Sequence, residues 1–93
     1  MVKREWQERA NRRIRNFVAI AKALGAEHPI TQMMGNLSHG RHNWEPGPSI
    51  TLEKAIVEAS ALDGCFHILN LWARDHDRDA QNKMQAIWHK TEA

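Results

Sequence analysis

An all-α fold is what the sequence predicts: a small bundle of three to four helices, with two long antiparallel helices or helix pairs, one short helix and one long loop, completed by dimerisation. Three observations lead there. Apolar residues recur at spacings of three and four along most of the chain. No window alternates apolar and polar residues as a half-buried strand does, and no hairpin turn signal occurs. The stripes are rich in alanine and sparse in large side chains, which suits closely packed antiparallel helices.

The first helix is expected over residues 4–24, where Trp6, Ala10, Ile14, Phe17, Val18, Ala21 and Leu24 form one stripe and Gly25 is placed to end it. Glu5 with Arg9 and Glu8 with Arg12 are i,i+4 pairs in the favourable order. A short helix follows over 29–34, with Pro29 at its first position and Gly35 at its end. Residues 38–49 hold two Gly and two Pro and read as a loop, long for so small a domain. Trp44 sits within it and is expected to pin the loop to the core.

Ser49 or Thr51 caps a third helix over 51–75, whose stripe runs Leu52, Ala55, Ile56, Ala59, Leu62, Phe66, Leu69, Trp72, Ala73. Gly64 keeps the period and reads as a point of close helix packing. A break is expected within 75–79, with Asp77 capping a last helix over 78–90. Trp72 and Trp88 lie on or beside the stripes and read as core, and Trp6 as core or dimer seam.

The 93 residues allow a single helical domain, 1–93. Apolar residues make up 42% of them, but twelve are alanine, and Leu, Ile, Val and Phe together number eighteen. That is thin for a core. The net charge is only +2, and four Trp and four Met add bulk, so the chain reads as folded rather than disordered. A second subunit would complete so small a core.

No apolar run approaches the ~20 residues that span a bilayer, so no membrane role is expected. The N-terminus lacks the apolar stretch of a secretory signal. One cysteine, Cys65, makes no internal disulfide, which fits a reducing, cytoplasmic setting.

Charge is unevenly placed. Residues 1–22 carry seven Lys or Arg against two Glu, and residues 23–93 carry six against nine Asp or Glu. Arg9, Arg12, Arg13 and Asn16 share a helical face of residue types that contact phosphates and base edges, so nucleic acid is one candidate partner. The plainer reading is a basic helix lying against the acidic remainder of its own or a second subunit. The expected two-helix turn of a repressor-type DNA-binding domain is missing, since Met33-Met34-Gly35-Asn36 gives no recognition helix of useful length.

Catalytic and metal-binding constellations are weak. His39 and His42 stand three apart in a Gly-containing loop, and Cys65 and His67 point about 200° apart on a helix, so neither pair builds a zinc site. No metal or cofactor is expected. Cys65 beside Phe66 reads as a small hydrophobe, and Ser38-His39 has no third member for nucleophilic catalysis.

The stretch Leu62-Asp63-Gly64-Cys65-Phe66-His67-Ile68-Leu69-Asn70-Leu71, followed by Lys83 and Lys90, resembles the last helices of the all-α, MazG-like pyrophosphohydrolases. The resemblance spans about a third of the chain and implies Mg²⁺-dependent nucleotide hydrolysis that relies on Asp63. That family also carries Glu-x-x-Glu on one helix and Glu-x-x-Asp on the next. Here Ser60 stands where the second motif has Glu, and Glu5-Trp6-Gln7-Glu8 lies far upstream. An enzyme is therefore the third reading.

The first is a non-catalytic interaction protein, an adaptor or stoichiometric inhibitor of the kind phages and mobile elements encode, binding a protein or nucleoprotein partner and forming a homodimer. Its expected binding surfaces are Arg9, Arg12, Arg13 and Asn16 on the basic helix, and Arg41, His42 and Trp44 in the loop.

Overall fold

A computed structural model describes residues 2–38 and 44–90. The protein is an all-α bundle of four helices: α1 (Val2–Leu24), α2 (Pro29–Ser38), α3 (Leu52–His76) and α4 (Arg78–Lys90). There is no strand among the described residues. α1 packs along α3 and also touches α2 and α4, while α2 and α4 each rest on α3. All four helices contribute to one core: Ile14, Phe17 and Ile20 from α1, Ile30 and Met34 from α2, Leu62, Cys65, Leu69 and Ala73 from α3, and Ala80, Met84 and Trp88 from α4. No described helix is long and apolar enough to cross a membrane.

Local chemistry sets the helix ends. Gly25 adopts φ +93°, and its N–H donates to the Ala21 carbonyl at 2.8 Å. A side chain would be strained in that left-handed conformation, which is why glycine closes α1. Thr51 caps α3, its hydroxyl accepting the Lys54 N–H at 3.2 Å. That contact satisfies one of the donors a helix N-terminus leaves without a partner.

α2 runs a turn beyond the expected stop at Met34, through Gly35 to Ser38. Tertiary burial outweighs the glycine. Leu37 packs against the core, Ser38 is fully buried with its hydroxyl donating to the Met34 carbonyl, and the Cys65 thiol donates to the Leu37 carbonyl at 3.5 Å. These contacts supply what local propensity lacks.

Asp77 breaks the chain between α3 and α4 and is shared by three elements. Its N–H donates to the Ala73 carbonyl at 2.8 Å, and its Oδ1 accepts the Ala80 N–H at 3.1 Å. Its Oδ2 lies 2.9 Å from Nε2 of His28, the residue before α2. His28 Nδ1 accepts the Ile30 N–H at 3.1 Å, so the ring hydrogen is on Nε2, which donates to Asp77. The His28 and Ala80 hydrogen bonds hold the Asp77 carboxyl below the usual carboxylate range.

The sign of the resulting pH dependence follows. A lowered native pKa means that the unfolded chain takes up the proton first as pH falls. The stabilisation from Asp77 is complete above about pH 4 and is lost as pH drops through its lowered value. Asp77→Asn keeps a capping oxygen but no charge, so the difference in stability between it and the parent should shrink steadily below about pH 4 in acid-titrated thermal melts. A difference that does not change with pH would show that the Asp77 charge contributes nothing to folding.

Two expectations about α3 need correction. Gly64 does not mark a close approach between helices of the bundle, because a Cβ built there meets nothing within 4 Å. It faces outward, where a mid-helix glycine costs roughly 0.5–1 kcal/mol relative to alanine with no contact among the described residues to offset it. Leu52, placed on the core stripe by its spacing, is exposed as well.

Candidate functional site

The basic helix does not present the face expected from its spacing. Arg13 and Asn16 are buried, so neither is available on the surface of the bundle. Arg13 Nε donates to Asp63 Oδ1 on α3 at 2.7 Å, with only 4% of the arginine side chain exposed. Its guanidinium lies 5.0 Å from the Trp88 ring centroid on α4. Trp88 stacks on Phe66 with centroids 4.0 Å apart and tilts against Phe17 at 5.5 Å. The Arg13 guanidinium thus joins α1, α3 and α4 through an ion pair and a cation–π contact. The physical reason is register: Arg13 lies one residue before Ile14 and four before Phe17, close enough to the core stripe to be carried inward.

Arg9 is half-buried, 5.1 Å over the Trp6 ring and 4.0 Å from Asp63. Arg12 is also half-buried, and its Nε is enclosed with no hydrogen-bond partner among the described residues. Glu8, expected to pair with Arg12, accepts from Arg4 at 3.0 Å instead. The exposed cations of α1 are Lys3, Arg4, Arg15 and Lys22, of which the last three recur on one side of the helix. Glu8 offsets Arg4, and Glu45 lies 3.8 Å from Arg15.

The loop is held at one point and presents another. The Pro46 carbonyl accepts from Asn11 Nδ2 at 2.9 Å and from Gln7 Nε2 at 3.2 Å, and Pro46 itself is buried. The Ile50 N–H donates to the Gly47 carbonyl at 3.1 Å, and the Ile50 side chain is buried. Pro46 and Ile50 therefore pin this segment, in place of Trp44, which is 42% exposed. The indole lines a shallow recess with Gly47, Ser49, Ile50, Thr51 and Lys54. Arg41 and His42, the other loop residues singled out by the sequence, and His39 lie outside the described residues.

Asp63 carries the resemblance to metal-dependent pyrophosphohydrolases, and its carboxylate is engaged by arginine. Arg13 contacts one oxygen and Arg9 approaches the other. Cations at both oxygens oppose the binding of a further cation there. No group of three His, Cys, Asp or Glu side chains placed to hold a metal occurs among the described residues. Cys65 is buried, with its thiol on a backbone carbonyl, and lacks the electropositive, accessible setting of a reactive cysteine.

One surface escaped the sequence reading. α3 is apolar on two sides. Behind its core residues, Val57, Ile68 and Leu71 remain 60%, 53% and 38% exposed. Together with Ala61 and Gly64 they are spaced four, three, four and three, a second stripe that the search for a single core face passes over. Comparison of the chain with protein-family models, curated proteins and solved structures finds no match, so the functional reading rests on these residues.

Proposed function

We propose that this chain works by binding rather than by catalysis, as a cytoplasmic adaptor or stoichiometric inhibitor whose partner is a protein. The observation that carries the reading is the anchored loop with its indole outside. Holding the backbone at Pro46 and Ile50 lowers the entropy lost when Trp44 enters a pocket on a partner. A half-exposed tryptophan on a held loop is the residue type that dominates protein interfaces. The partner this fits offers an apolar pocket for the indole.

Nucleic acid is the weaker reading. Two of the four residues proposed to contact it are buried, and Arg4 and Arg15 each have a carboxylate neighbour. The test is affinity capture with and without nuclease, using the parent and Trp44→Ala. A stoichiometric protein that survives nuclease should be retained by the parent and weakened by more than about 1 kcal/mol in the variant, with the melting temperature unchanged. Equal retention by Trp44→Ala would overturn the site. Loss of capture on nuclease treatment would move the function to nucleic acid.

A further inference from the structure

The second apolar stripe of α3 is a seam without a partner among the described residues. Val57, Ala61, Gly64, Ile68 and Leu71 follow the spacing by which two helices pack side by side, and Gly64 lies at the middle of the stripe. We propose that this stripe pairs with the same stripe of a second copy, the two α3 helices running antiparallel about a twofold axis near Gly64.

Self-complementarity carries the choice of a second copy. With the two stripes face to face and antiparallel about Gly64, Val57 lies level with Leu71 of the second copy and Ala61 within one residue of its Ile68, so each large residue meets an apolar one. In that arrangement Glu53 and Arg74 of the second copy share one edge of the seam, and Lys54 and its Asp75 continue the line of the stripe, each pair within one residue (~1.5 Å) of level. All four of these charged residues are exposed, so they are able to form the rim of such a seam. Within the chain, Arg74 and Asp75 contact each other at 3.1 Å, an exposed pair of little strength that can be exchanged for the new ones. A parallel arrangement would instead set Glu53 against Glu53 and Lys54 against Lys54. Flanking charges of this kind select helix orientation.

Gly64 fits the same geometry. Its Cβ position is open in the single chain, so the glycine is unexplained there. Between two crossing helices, the missing side chain lets the backbones approach. The interface is isologous and closes at two copies. It uses the outward side of α3, and Lys54 at its end also lines the recess beside Trp44.

Sedimentation equilibrium on the full chain over a range of concentrations tests this. The expected result for the parent is a reversible dimer, twice the 10.7 kDa chain mass. Ile68→Glu and Gly64→Leu should each raise the dissociation constant at least about tenfold. Both positions are exposed in the single chain, so circular dichroism should show unchanged helix content. Glu53→Lys should weaken the dimer, and adding Arg74→Glu should restore it, which a parallel seam would not produce. A parent that stays monomeric at high concentration overturns the proposal and leaves the stripe to a different protein. So does a dimer insensitive to both Ile68→Glu and Gly64→Leu.

Discussion

Phe17→Ala is expected to bring the protein close to the point of unfolding at room temperature. Phe17 is fully buried within the core shared by all four helices, and its ring leans on Trp88. Removing a buried phenylalanine ring typically costs about 3–5 kcal/mol, as lost burial plus the cavity left behind. The whole domain has roughly 5–15 kcal/mol available. Urea unfolding followed by circular dichroism should show the midpoint collapsing towards zero denaturant. A loss below about 1 kcal/mol would show that the ring is not central to the packing.

Asp63→Ala should be the most damaging of the polar substitutions, for a different reason. Arg13 is buried and remains charged, so its guanidinium would lose its 2.7 Å carboxylate partner while staying out of water. Breaking one side of a buried pair costs about 3 kcal/mol, and the lower end of the usual range applies because Asp63 keeps 37% of its side-chain surface exposed. Replacing both partners with apolar residues, Arg13→Met with Asp63→Leu, should recover part of that loss, since the cost comes from removing one partner of a buried charge. Denaturant unfolding of Arg13→Met, Asp63→Leu and the double variant completes the cycle. If the double variant is as unstable as the sum of the singles, the pair is not coupled and the contact is not what holds α1 to α3. The same substitutions bear on the reading of Asp63 as a catalytic residue, because a carboxylate held for stability has its charge already balanced.

The sequence reading succeeded where a feature depends on near neighbours. Helical spacing identified the fold class. Gly25 at the end of α1, Thr51 at the start of α3 and Asp77 at the break before α4 were all legible, because a turn or a cap involves residues within about four positions. The extent of α2 was not legible in the same way. Gly35 signals a stop locally, and what carries the helix past it is burial of Leu37 and Ser38 and the thiol of Cys65, 28 residues further on.

The candidate site divides along the same line. That Trp44 belongs to a loop was readable. That the loop is pinned elsewhere was not, since Gln7 and Asn11 reach Pro46 across 39 and 35 residues. The second stripe of α3 was present in the sequence as a four-three repeat, but a helix apolar on two sides gives no local sign of which side faces the core.

By itself the sequence determined that this chain forms helices and where turns interrupt them, because backbone preference and capping act over a few residues. Only the tertiary structure decided which way each helix faces. Seven cations crowd the first 22 residues, more than one of them bordering the apolar stripe of α1, and Asp63 and Trp88, 50 and 75 residues away from Arg13, select that one for the interior. An ion pair and an aromatic ring brought together by folding outweigh the cost of burying a guanidinium that its local pattern would have left in water.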